Sequence, residues 1–219
     1  MKNIFSYDSK IMQLLGYVGD LFILNVIFLI FCLPVITIGP AQAGLFTAMD
    51  VLRDPMDDSS CVRAFFKGFK SGFGKISLVS TFFLILDILL LYTLIMTWSY
   101  QDTGRYLHWG ISGVVLILCM LIHGLLPIFH ARFNCGPVQL VRNGLVLLVM
   151  YPLRSVLISA LIWAPLVLFL LAVNTFANLG ALFITVYYSM AYLLAAYMLK
   201  KPFGKLMEAV KDQEAQNHE

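Results

Sequence analysis

Residues 32–44 read CLPVITIGPAQAG, inside an apolar run that extends from 21 to 49 without one Asp, Glu, Lys or Arg. Two prolines six positions apart, the second preceded by glycine, are what a continuous helix avoids. Proline removes a backbone donor and biases the residue before it away from helical dihedrals. What the break does decides how the chain is threaded. As one straight helix the run would measure about 44 Å at 1.5 Å per residue, well beyond the ~30 Å hydrocarbon core of a bilayer. Lys2 and Lys10 precede it, and Arg53, Arg63, Lys67, Lys70 and Lys75 follow it. Basic residues flanking spans stay cytoplasmic, so both flanks of the run are expected inside. The chain then doubles back at Pro34, Gly39 and Pro40, as a bent hairpin with two short arms near 17–34 and 40–53.

The rest of the chain is as apolar. Of 219 residues 60% are hydrophobic and 12% charged, with a mean hydropathy of +0.86, too little polar surface for a water-soluble domain. The stretches 106–131 and 155–199 carry no Asp, Glu, Lys or Arg, and Asp87 alone interrupts 76–101. A spanning helix needs about 20 such residues, so the expected class is all-α, a polytopic helical bundle in one integral membrane domain over 1–219. Transmembrane barrel strands alternate apolar with polar residues, which these runs do not. Segments are expected at 76–99 and 108–131, and the 155–199 run divides at its Asn- and Gly-containing stretch 174–180 into 155–173 and 179–200. With the hairpin this makes six, placing both termini inside. Fourteen of the fifteen Lys and Arg then lie on inner pieces, and Arg105 stands alone outside, near the aromatic belt of Trp98, Tyr100, Tyr106 and Trp109. Ala41-Gln42-Ala43 has the form of a leader-cleavage site, but the apolar region exceeds the 7–15 residues typical of a leader. The four cysteines suggest no disulfide framework, and a net charge of +3 gives no support for nucleic-acid binding.

Two segments read as cytoplasmic interfacial helices. In 60–74, Val62, Phe65, Phe66, Phe69 and Phe73 share one helical face, with Arg63, Lys67 and Lys70 off it. Such a helix lies in the interface of the bilayer, or offers Phe65, Phe66, Lys67 and Phe69 to a partner protein. The second, 137–150, opens at Gly136-Pro137 and turns more apolar along its length. Within the membrane, Asp87 costs about 2.5–3.5 kcal/mol unless it is paired, protonated or turned inward. His123 lies in the neighbouring antiparallel segment within about one helical turn of the same depth. The two form a candidate intramembrane polar site, either a proton-linked or polar-substrate centre or a polar pair holding two spans together. Asn25 is expected to bond across helices, and Pro165 to kink its segment. Cys119, His123 and His130 share a helical stripe, but no metal-binding motif accompanies them, so no metal and no cofactor is assigned. Motifs for nucleophilic catalysis, phosphate cradling or dinucleotide binding are absent from the sequence, and a non-enzymatic role is expected.

The stretch GDLFILNVIFLIFCLPVITIGPAQAGLFTAMDVLRD (19–54), followed by RAFFKGFKSGF (63–73), resembles the YesL-like bacterial membrane proteins, a domain-of-unknown-function family. Gly19, Asp20, Asn25, Leu33, Pro34, Thr37, Ile38 and Gly39 carry the pattern, and ARFNCGPVQLVRNGLVLLVMYPLRS (131–155) and LKKPFGKLM (199–207) fit it as well. The resemblance implies a bacterial plasma-membrane protein, often encoded beside sugar-import systems, and hence an accessory component working with subunits of a carbohydrate ABC importer. It implies no catalytic residues. The alternative from the residues themselves is a small proton-linked transporter or channel using Asp87 and His123.

Overall fold

The computed structural model describes residues 10–54, 60–71, 73–99, 104–133, 136–172 and 187–204. Helix α1 (Lys10–Cys32) stops before Pro34, which is extended. A short 3-10 turn over Val35–Thr37 leads into α2 (Ile38–Arg53), with Pro40 in its first turn, where a missing backbone donor costs nothing. The Thr37 hydroxyl bonds the carbonyls of Phe31 and Pro34 and closes the bend. Then come α3 (Cys61–Ser71), α4 (Phe73–Met96), a 3-10 turn over Thr97–Ser99, α5 (Gly104–Phe133), α6 (Pro137–Met150), α7 (Pro152–Ala172) and α8 (187–204). Among the described residues there is no strand. Among the described residues, four helical stretches, in α1, α2, α4 and α5, are long and apolar enough to cross a membrane, and the bent pair of α6 and α7 makes a fifth candidate. The protein is an all-α membrane protein. The expected turn at 174–180 lies outside the described residues.

Side-chain contacts fix the direction of each long helix. Helices α4 and α5 are antiparallel: Trp109 Nε1 donates to Thr97 Oγ1 at 2.9 Å at one end, and Asp87 meets His123 further down. Helix α7 climbs along α5, with the Ser159 hydroxyl donating to the Leu121 carbonyl and Trp163 Nε1 to that of Met120, each at 3.0 Å. Helix α8 returns along α7, from Tyr187 bonded to the Leu161 carbonyl to Met198 bonded by Arg154. The end holding Thr97 and Trp109 is here termed distal. The end holding the start of α4, the close of α5 and the start of α7 is termed basal.

This frame corrects the expected hairpin. Asn25 of α1 accepts from the Ser189 backbone N–H at 3.1 Å, Phe28 packs on Tyr188, and Phe31 then meets Phe65, Phe66 and Phe69 of α3. Beyond it the Ile36 carbonyl takes the hydroxyl of Ser77, in the first turns of α4. Helix α1 therefore descends from the distal side, and the Pro34–Pro40 bend sits at the basal end, beside the basic segments and not opposite them. Helix α2 does not run back along the bundle. Its start abuts Ser80 and Ile76 of α4, and its Asp50 pairs with Arg132 in the last turn of α5. The antiparallel α4–α5 pairing puts these contacts at one level, so α2 lies across the bundle. Its residues from Gly39 to Phe46, with Ala48 and Met49, are buried. A helix apolar all round is either lipid-facing or enclosed by protein, and hydropathy alone does not distinguish the two.

Helix α3 packs along α2 at a spacing that glycine permits, since a Cβ on Gly44 would come within 2.7 Å of the Phe65 carbonyl oxygen. Helix α6 turns 117° from α7. The molecule is thus a bundle of long helices resting on a basal layer of shorter ones. Their junction is the core, where Phe46, Phe65, Phe129, Leu125, Leu126 and Tyr192 are fully buried.

Candidate functional site

Ser80 and Asp87 lie seven residues apart on α4 and so share a face. His123 of α5 fits between them. Its Nδ1 is 2.8 Å from Asp87 Oδ2, and its Nε2 is 3.0 Å from Ser80 Oγ. All three are 4% exposed or less. Phe83 and Trp163 rings pack against the imidazole, with centroids 6.2 and 5.2 Å away. An ionised Asp87 only accepts, so Nδ1 then carries a hydrogen; Nε2 is left to accept from the Ser80 hydroxyl or, when protonated, to donate to it. The two states differ by one proton and need no movement of heavy atoms. Asp87 Oδ1 has no partner among the described residues.

The sequence-expected pair is therefore brought together, and Ser80 is an addition. A signal for it existed in its placement one helical face above Asp87. The connectivity from serine to Nε2 and from Nδ1 to Asp is also that of serine hydrolases. Hydrolysis further requires an open approach to the serine oxygen and donors for an oxyanion. Ser80 is instead wedged against α2, where a Cβ on Gly39 would come within 2.5 Å of Ser80 Cβ and 2.8 Å of Oγ. The arrangement suits holding and passing a proton better than attacking a carbonyl.

The expected docking residues are placed differently. Phe65 is fully buried, while Phe66 and Phe69 are half-buried and lie edge-on to Phe31. The aromatic face of α3 is thus occupied by α1 and α2 of the same chain, and of the four residues only Lys67 is exposed. Exposed on or near that helix are also Arg63, Lys70 and Lys75. Nearby in the basal layer, Asp50 is gripped by Arg53 and Arg132, each at 2.7 Å, and Arg53 also donates to the Ala196 carbonyl. These residues border a cleft of about 260 Å³ with Thr47, Asp54 and Phe46. Sequence reasoning missed this cluster because its partners come from three helices far apart in the chain. Cys32 and Cys119 are free thiols, and among the described residues no group of three or more metal-ligating side chains assembles.

Comparison with curated proteins and with solved structures gives no match. Residues 21–94, which run from the buried half of α1 through the bend, α2 and α3 to the last turn of α4 and so include Ser80 and Asp87, match the model of an uncharacterised family described as "Protein of unknown function, DUF624".

Proposed function

We propose that the protein is a small proton-linked transporter or channel whose working centre is the Ser80–His123–Asp87 chain. The observation that carries this reading is the geometry of that chain: three titratable or hydroxylic groups, almost fully enclosed among apolar helices and bonded through opposite nitrogens of one imidazole. Ionisable groups at such depth mark ion and proton pathways in membrane proteins. In this reading the basal end faces the cytoplasm, because Arg53, Arg63, Lys67, Lys70, Lys75, Arg132, Arg142, Arg154, Lys200 and Lys201 gather there, while only Arg105 and Lys10 at the start of α1 belong to the distal side among the described residues. Helices α1, α4, α5, α7 and α8 then cross the plasma membrane, five times in all, with the amino terminus outside and the carboxyl terminus inside. The test is proton flux into vesicles holding the purified protein, read with an interior pH dye. Wild type conducts and Asp87→Asn, which keeps the shape, does not; equal flux in both sinks the reading.

A second reading, also non-enzymatic, is the accessory role beside a carbohydrate ABC importer that the YesL-like resemblance implies. Exposed Arg63, Lys67 and Lys70 on α3 favour it, as a basic face able to meet an acidic partner at the basal end. Crosslinking in membranes followed by co-purification tests it; capture of importer subunits by wild type and not by a triple Lys67→Glu, Lys70→Glu, Arg63→Glu variant is the expected result.

A further inference from the structure

The basal cleft carries charges of both signs, and the proton-linked reading makes no use of it. It holds about 260 Å³, less than the ~300–1,000 Å³ typical of pockets for drug-sized ligands, so it suits a small polar molecule or one end of a larger one. The guanidiniums of Arg53 and Arg132 and the carboxylates of Asp50 and Asp54 line it, and their formal charges cancel. The four are not equivalent. Arg53 is taken up by the protein: it pairs with Asp50, donates to the Ala196 carbonyl and stands over the Tyr197 ring. Asp50 is held between Arg53 and Arg132. Among the described residues Arg132 meets Asp50 through Nη2, and a guanidinium has more N–H donors than that pair engages.

Asp54 stands at the exposed close of α2, where its backbone N–H bonds the Val51 carbonyl at 2.9 Å. Thr47 donates its hydroxyl hydrogen to the Ala43 carbonyl, and its oxygen keeps the capacity to accept. The cleft thus sets a donor-rich cation, Arg132, beside two acceptors, Asp54 and Thr47, with Phe46, Val51 and Ala131 as an apolar wall. A simple anion entering it meets two carboxylates, and a simple cation meets two guanidiniums. A ligand with an oxyanion and a primary ammonium on one short chain satisfies both halves. The depth of the cleft points to a source. Arg132 is the first charged residue after the apolar stretch 106–131 and lies in the last turn of α5. Where such a stretch ends, the chain passes from hydrocarbon into the headgroup layer, whichever leaflet that is.

We propose that the basal cleft binds a phosphate joined to a primary ammonium, the headgroup of an ethanolamine phospholipid. The phosphate oxygens accept from Arg132, the ammonium donates to Asp54 and Thr47, and Asp50 positions Arg132. A choline headgroup has the same charges but no N–H, so it leaves both acceptors unanswered. A glycerol headgroup brings the phosphate without the cation. The same chemistry free in water is phosphoethanolamine.

The experiment is native mass spectrometry of the full chain released from nanodiscs that hold ethanolamine, choline and glycerol phospholipids of matched acyl chains in equal amounts. Wild type should retain one ethanolamine lipid in preference to the other two. Arg132→Gln and Asp54→Asn each remove one charged contact at an exposed residue, with folding checked by circular dichroism. Each should lower that retention about tenfold. A second arm adds free phosphoethanolamine to the protein in choline-lipid nanodiscs and reads thermal unfolding. Protection there, lost in the same variants and without any lipid preference, assigns the cleft to the soluble compound. Equal retention of the three lipids with no such protection overturns the inference, as does a preference for the ethanolamine lipid that both folded variants keep. Proton flux enters neither arm, so equal flux in wild type and Asp87→Asn would sink the proton-linked reading and leave the cleft as it is.

Discussion

Asp87 and Asp50 are each held by a residue of α5, and the two sites put one chemistry into two surroundings. At the centre of the bundle, the side chains of Asp87 and His123 are 4% and 3% exposed. In the basal layer, Asp50 and Arg132 are 16% and 32% exposed beside an open cleft. The distances are nearly equal, 2.8 and 2.7 Å, so distance does not separate the sites. Solvent does. Water compensates a charge that loses its partner at the cleft, whereas Asp87 is almost wholly enclosed by protein. The central pair is therefore where a lost partner is costly, and where a proton transferred between partners has large consequences.

The largest effect expected from this contrast is on the central pair. Breaking a buried pair by removing one partner costs about 3–5 kcal/mol. His123→Leu should therefore lower stability by that much in reversible unfolding from mixed micelles. The double variant Asp87→Leu/His123→Leu should recover most of the loss, since apolar residues of similar volume are well tolerated in such places. A His123→Leu effect no larger than that of Arg132→Gln would erase the distinction between the sites.

Gly39 sharpens the comparison from the backbone side. Overpacking a filled core costs about 1–3 kcal/mol, so Gly39→Ala, whose Cβ would meet Ser80 within 2.5 Å, should destabilise by that order. Adding Ser80→Gly removes the obstructing Cβ and should restore most of the stability while leaving His123 Nε2 without its hydroxyl partner. A Gly39→Ala protein as stable as wild type means that α2 does not clamp the central site.

What was legible in the sequence follows from which physics is local. Helical class, the break at Pro34–Pro40, the boundaries of α4 to α6 within a few residues and the meeting of Asp87 with His123 come from hydropathy, proline and helical rise. Each acts within one or two neighbouring segments. The direction of α1 and the crosswise lie of α2 are not local. Leu45, Phe46 and Met49 fall in the expected second arm of the hairpin, and nothing in their own segment says that α3, α4 and α5 enclose them. The flanking cations carry no sign of it either: Lys2 and Lys10 count equally with Arg53 to Lys75 in a charge tally, although the second group is larger and belongs to a packed layer. Phe65 was offered to a partner because its face is aromatic and periodic, and the face is used by Phe31 of the same chain. The Asp50–Arg53–Arg132 cluster and the Arg154–Met198 bond join residues far apart in sequence, with no periodicity to announce them.

The Arg154–Met198 bond lies between the two extremes. Pro202 deprives the Met198 carbonyl of its helix donor, and Arg154 supplies a charged one at 3.1 Å. A hydrogen bond to a charged group contributes roughly 1.5–3 kcal/mol in enclosed settings, less where water competes, so Arg154→Met is expected to cost about 1–2 kcal/mol. Pro202→Ala returns an N–H to α8, and in that background Arg154→Met should cost less. The double-mutant cycle reads the coupling directly. Additive effects would mean that the arginine is only a neighbour of the carbonyl it faces.

The smallest effect belongs to the cleft. Arg132→Gln removes one of two guanidinium partners of Asp50, and Arg53 remains at 2.7 Å. Partly exposed ion pairs contribute about 0–1 kcal/mol, so the loss should be under ~1 kcal/mol at low salt. At about 0.5 M salt, where screening acts within a few ångströms, it should shrink further. The His123→Leu penalty, arising where ions do not penetrate, should not move with salt. Salt sensitivity therefore separates the sites without reference to their absolute energies. Were the central variant to lose its penalty at high salt along with the cleft variant, water and ions would have to reach Asp87, and the enclosure on which the proton chain depends would be absent.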